Sequence, residues 1–224
     1  MLHISRMICA GLGLALWLGA APAAKAATYL LEMWGEVDPI AFVSLAGDGI
    51  TAGDAAYGRF EIDLSSPTVF SATNTLYQNA VPQAQVTLGS YVATGGAGSQ
   101  GQLFRASSAT RSFINATRHD MSAPNVNGRI LNNVQINFSD TFDGVFSAPL
   151  VDPAVWAATP LSDFTSAGFF LNFQSAGPGL PGGTIAVTAD RFTLTQIAAV
   201  PLPAGLLLMA TSLGLLGVLR RRRA

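Results

Sequence analysis

Apolar and polar residues alternate in several short runs between residues 27 and 200. Met33, Gly35 and Val37 alternate with Glu32, Trp34 and Glu36, and Phe60, Ile62 and Leu64 with Arg59, Glu61 and Asp63. Val134, Ile136 and Phe138 alternate with Gln135, Asn137 and Ser139, and Phe169, Leu171 and Phe173 with Asn172 and Gln174. A period of two is that of a strand with one buried face, so each run predicts a strand. Near the end, Ile185 and Val187 fall on odd positions but Phe192 and Leu194 on even ones. One extra residue turns the buried side chains to the other face, which predicts a bulge or turn at Asp190-Arg191.

Between the runs lie clusters of Gly, Pro, Asn, Asp and Ser, at 46–49, 65–67, 95–101, 124–128 and 177–183. Glycine supplies positive φ, proline a fixed φ, and Asn and Asp local hydrogen bonds, so these are turn signals. No long helical period occurs here; a single short turn fits Leu161 to Phe164. Short strands without intervening helices predict an all-β domain, an antiparallel sandwich or jelly roll, over 27–199.

The two ends follow other patterns. Arg6, the uncharged run Ile8 to Gly19 and Ala24-Lys25-Ala26 read as a signal peptide over 1–26, with Ala24 and Ala26 framing the cleavage site and Ala21-Pro22-Ala23 a second option. At the other end Val200, Pro201, Leu202, Pro203 and Ala204 precede an uncharged stretch to Leu219, then Arg220, Arg221, Arg222, Arg223 and Ala224. This predicts a transmembrane helix at about 203–219 with its C-terminus in the cytoplasm. At ~1.5 Å per residue it covers roughly 25 Å, short of a ~30 Å bilayer core, which suits a segment used briefly as an address. The other reading of the same residues is a plain single-pass anchor.

The tail 200–224 resembles the VPLPA variant of the PEP-CTERM sorting signals of Gram-negative bacteria in its proline motif, apolar span and arginine cluster, in that order. The resemblance implies an exosortase substrate. Such a protein is exported across the inner membrane by the secretion machinery and held there briefly (N-out, C-in). It is then processed to the cell surface or extracellular matrix, in a setting of exopolysaccharide and biofilm. The middle of the chain is similar to the β-rich domains that precede such tails, in Ala56 to Asp63, Val134 to Phe138, Leu161 to Phe164 and Phe169 to Phe173.

Composition sharpens this division. The 224 residues are 50% hydrophobic and 11% charged, with a net charge of −1. That excludes a disordered chain, and the single Cys9, inside the predicted signal peptide, excludes a disulfide scaffold. Residues 27–200 carry all 13 acidic residues against six arginines, a net −7 without lysine. An acidic domain argues against nucleic acid as a partner and for solubility outside the cell.

Few residues in the sequence have the chemistry of a reactive site. His119, followed by Asp120, is the one histidine after the signal peptide and reads as a surface loop residue; as a general base it would need a serine and an orienting acid. Gly96 to Gly101 matches a dinucleotide-binding pattern, but no helical period follows it, so it reads as a flexible hairpin loop. One histidine and no mature cysteine disfavour zinc. Calcium has acidic turns to consider at Asp48 with Asp54 and at Asp140 with Asp143. A sugar site would draw on Trp34, Tyr57, Tyr77, Tyr91 or Trp156, with Trp34 on the strand face of Glu32 and Glu36 and Trp156 in a proline-flanked loop, Asp152 to Pro160. The expectation is a non-enzymatic structural or adhesive protein without catalytic residue, cofactor or metal. The alternatives are a lectin-like carbohydrate-binding module, with or without calcium, and an extracellular hydrolase.

Overall fold

A computed structural model of the chain describes residues 28–39, 49–96, 101–108, 110–140, 145–175, 177 and 182–197. The signal-peptide and sorting-tail expectations, with Ala24, Ala26, Val200, Pro201, Leu202, Pro203, Ala204, Arg220, Arg221, Arg222 and Arg223, lie outside the described residues. Among the described residues no helix is long and apolar enough to cross a membrane.

The expectation of an all-β, antiparallel architecture holds. The strands are β1 Thr28–Val37, β2 Ala55–Asp63, β3 Pro67–Ser71, β4 Asn74–Gln78, β5 Gln83–Leu88, β6 Tyr91–Gly95, β7 Gly101–Ser107, β8 Ser112–His119, β9 Met121–Ser122, β10 Arg129–Asp140, β11 Ser166–Ser175 and β12 Gly183–Gln196. They form one sheet in the order β3-β4-β7-β8-β10-β11-β12-β1-β2-β5-β6-β9, and every ladder is antiparallel.

The sheet is strongly curled. Tyr91 on β6 and Phe173 on β11 belong to strands five ladder steps apart, about 24 Å in a flat sheet. Their ring centroids are 6.3 Å apart. The concave side holds the core that the alternation predicted: Met33, Val37, Phe60, Ile62, Val134, Ile136, Phe138, Phe169, Leu171, Phe173, Ile185 and Val187 are all buried, and Leu31 joins them. Ala80 helps close the curl. Its carbonyl accepts from the Asp63 amide and its amide donates to the Gly101 carbonyl, each at 2.9 Å, linking the end of β2 to the start of β7.

The predicted phase change is a bulge. On β12, Arg191 lies opposite Trp34 and Ala189 opposite Gly35, so Asp190 is the extra residue. It turns Arg191 outward and Phe192 inward, where Phe192 meets Phe138 at 5.1 Å and Phe164 at 5.9 Å. The Asn127-Gly128 turn is also present. Both residues have positive φ (48° and 73°), and Val126 and Arg129 exchange backbone hydrogen bonds across it.

Two local expectations are corrected. Trp156 lies on a short helix, α1 (Pro153–Ala158), rather than in a loop. Asp152 caps it by accepting from the Ala154 and Val155 amides, and Pro153 presets the first turn. Gly96 to Gly101 does not close a hairpin: β6 pairs with β5 and β9, whereas β7 pairs with β4 and β8. The predicted turn at Leu161 is a 3-10 turn, Leu161–Asp163.

Candidate functional site

The convex face of β12, β1, β2, β5 and β6 carries the side chains that alternate with the core. Strand register arranges them in rows. Arg191, Trp34, Tyr57, Thr87 and Val92 lie side by side across the five strands. The next row is Thr193, Glu32, Arg59, Gln85 and Thr94, and Glu61 and Gln83 pair beyond it.

Arg191, Trp34 and Tyr57 of the first row form a connected assembly with Glu32 of the next. The Arg191 guanidinium carbon sits 4.0 Å from the Trp34 ring centroid, where the negative ring face attracts a cation. Trp34 and Tyr57 meet at 5.4 Å with a 42° tilt. The Tyr57 hydroxyl donates to Glu32 Oε1 at 2.5 Å. Burial and that hydrogen bond to the Glu32 carboxylate push the Tyr57 phenol up to about 12, so it stays a neutral donor at any ordinary pH. Beside this assembly lies a shallow depression of about 180 Å³, lined by Arg59, Glu61, Gln83, Ala84, Gln85, Thr94 and Gly95. Aromatic edges, two amides, a hydroxyl, a guanidinium and a carboxylate thus share one half-exposed surface. Such a set exchanges hydrogen bonds with a polyhydroxylated ligand while offering it apolar edges.

The other aromatic candidates are not displayed. Tyr77 is 2% exposed, and its hydroxyl accepts from the Val151 amide at 2.8 Å. Tyr91 is 3% exposed and pushed up to about 12 by burial. Trp156 is fully buried edge-on against Phe138 and Phe146, at 5.1 and 5.8 Å. Of the five predicted rings, the fold therefore brings Trp34 and Tyr57 together on the outside and draws the other three into the core.

His119 ends β8, exposed and paired in register with Asn133, so it is a strand-end residue rather than a loop residue. Of the acidic turns, Asp54 accepts from the Thr51 amide at 2.6 Å and Asp140 from the Val145 amide at 3.3 Å; Asp48 and Asp143 lie outside the described residues. Among the described residues no three His, Cys, Asp or Glu side chains converge as metal ligands do.

Sequence reasoning found Trp34, Tyr57 and Glu32 but missed Arg191, Arg59, Gln83, Gln85 and Thr94. The phase change was the available signal for Arg191, because a bulge that turns Phe192 inward must turn Arg191 outward. No such signal existed for β5 and β6, whose position beside β2 is a matter of pairing. No family model, curated protein or solved structure matches this chain.

Proposed function

We propose that this chain is an exported, exosortase-processed protein of the cell surface or extracellular matrix. In this reading it is a non-enzymatic structural or adhesive component in a setting of exopolysaccharide and biofilm. The observation that carries the reading is the ordered triplet at 200–224: a proline motif, an apolar span and four arginines. The acidic, lysine-free composition of 27–200 supports it, because such a surface stays soluble outside the cell. The curled sheet supports a jelly-roll-like sandwich as the exported body, with the β2, β5 and β6 side folded over β11. The test is deletion of 200–224 followed by cell fractionation, with the intact mass of the protein recovered from cells. Loss of surface delivery, and a wild-type mass cut at both ends, are expected. Unchanged fractionation of the deletion variant would overturn the reading.

A second reading, a carbohydrate-binding module, is favoured by the assembly of Arg191, Trp34, Tyr57 and Glu32 beside the amide-lined depression. The net −7 of the domain directs it to neutral rather than anionic polymers. A glycan array with and without calcium tests it. Binding that Trp34→Ala abolishes is the expected result, and a blank array removes the reading.

A further inference from the structure

Two edges bound the sheet. One is β9, only two residues long; the other is β3, five residues long, with no strand on its outer side among the described residues. An open edge is a row of unpaired backbone donors and acceptors, and proteins commonly blunt it with charge or with a covering segment. All five residues of β3 are exposed, and none of them is charged.

The apolar character of this edge is continuous with the core. Pro67 and Val69 lie opposite Tyr77 and Thr75 on β4, and residues opposite each other in an antiparallel pair project from the same face. Tyr77 and Thr75 are buried, whereas Val69 is 52% exposed and its neighbour Phe70 is 64% exposed. The inward face of the sheet thus runs out to β3 and stops there without cover among the described residues.

Charge indicates what fits there. Residues 64–104 contain no Asp, Glu, Lys, Arg or His, although the domain around them carries a net −7. Two copies of a domain with this net negative charge repel each other overall. The uncharged edge is where like copies approach at the least electrostatic cost. Antiparallel pairing of one strand with its own copy is also self-complementary by symmetry.

We infer that β3 is a docking edge for a second copy of this chain, pairing β3 with β3 about a two-fold axis. Val69 and Phe70 of each copy would then cover those of the other. Pro67 and the register shift between Val69 and Ser71 keep the ladder short, so the dimer is weak and reversible. The two-residue β9 cannot carry a comparable ladder, so the assembly closes at two copies rather than growing into a fibre.

The test is sedimentation equilibrium of the full chain in a mild detergent over a wide concentration range. Wild type should show a concentration-dependent monomer–dimer equilibrium. Val69→Lys with Phe70→Lys should weaken association by about tenfold or more, because apolar burial is lost and like charges face each other. Phe70→Lys alone, at the more exposed position, should weaken it in the same direction and serves if the double variant misfolds. Val92→Lys, an exposed apolar residue on β6, should leave the equilibrium unchanged. A wild type that stays monomeric to about 1 mM, or association unaltered by the β3 substitutions, would overturn the inference. Open-ended growth would overturn it as well. None of these outcomes depends on export or sorting, so the inference stands or falls apart from the proposed function.

Discussion

Two parts of the same core are held by different forces. Along β1, β2, β11 and β12 the buried side chains are all aliphatic or aromatic; β10 adds buried Arg129, Ser139 and Asp140 at its two ends, but its Phe138 sits fully buried at 5.1 Å from each of the Trp156, Phe164 and Phe192 rings. Along β4, β7 and β8 the inward positions include Thr75, Arg105, Ser112 and Arg118, all buried. Arg105 donates from Nε to the Phe146 carbonyl at 2.7 Å, from Nη1 to the Ala72 carbonyl at 3.2 Å, and from Nη2 to Ser107 Oγ at 2.9 Å and the Ser147 carbonyl at 2.5 Å. Arg118 donates to the carbonyls of Val81 and Gly96, both at 2.8 Å. The first part rests on nondirectional burial. The second uses the fan of guanidinium donors to fix connecting segments that bring few apolar groups of their own.

With that difference, equal burial should respond unequally to substitution. Phe138→Ala should cost the most, about 3–5 kcal/mol in urea unfolding, because it opens a cavity beneath three rings. Arg105→Met, similar in length, should still cost about 3 kcal/mol, because it strips the carbonyls of Phe146, Ala72 and Ser147 of a donor. Phe138→Leu, likewise a swap of roughly conserved shape, should cost only about 1–2 kcal/mol. A neutral Arg105→Met would erase the comparison, because the two parts would then both rest on apolar packing.

A smaller effect separates the concave face from the convex one. Tyr91 inside and Tyr57 outside are both raised from near 10 to about 12, chiefly by burial. The folded protein therefore holds each phenolic proton more tightly than the unfolded chain does. The stabilisation is complete below pH 10 and is lost as pH rises from 10 towards 12. The Tyr91 hydroxyl has no hydrogen-bond partner among the described residues. Tyr91→Phe should thus leave stability at pH 7 unchanged or slightly higher and make the alkaline decline shallower, as read by urea midpoints at pH 8, 10 and 11. Tyr57→Phe should also flatten the decline but lower stability at pH 7 slightly, because its bond to Glu32 is lost.

The smallest expected change is Trp34→Ala. On a half-exposed face it removes a cation–π contact and a ring contact, about 1 kcal/mol in all. Thermal unfolding measures that. A much larger loss would make the convex assembly a part of the fold's support rather than a surface available to ligands.

The strands with clean alternation were legible because period two is a local property that survives without neighbours. So was the bulge at Asp190, since a change of phase within one apolar series has few other physical causes. Strands β7 and β8 were not legible in this way: Arg105, Ser112 and Arg118 occupy inward positions, and a polar residue there reads as a solvent-facing one or a loop. The stretch around His119 misleads for the same reason. Trp156 reads as a loop residue because a one-and-a-half-turn helix is too short to display a period, although Asp152 and Pro153 are in place to start it.

By itself, the sequence determined that the alternating runs at 32–37, 59–63, 134–139 and 169–174 form strands, which of their faces are buried, and that charge is concentrated outside 64–104, since each follows from side-chain chemistry in order along the chain. Only the tertiary structure decided which strands became neighbours. It set Arg191 over Trp34 and Gln85 beside Arg59, laid the inward arginines against carbonyls 22 to 42 residues away, and left β3 at an edge. Those outcomes depend on how a curled sheet closes over one core, and closure joins segments whose local patterns hold no record of each other.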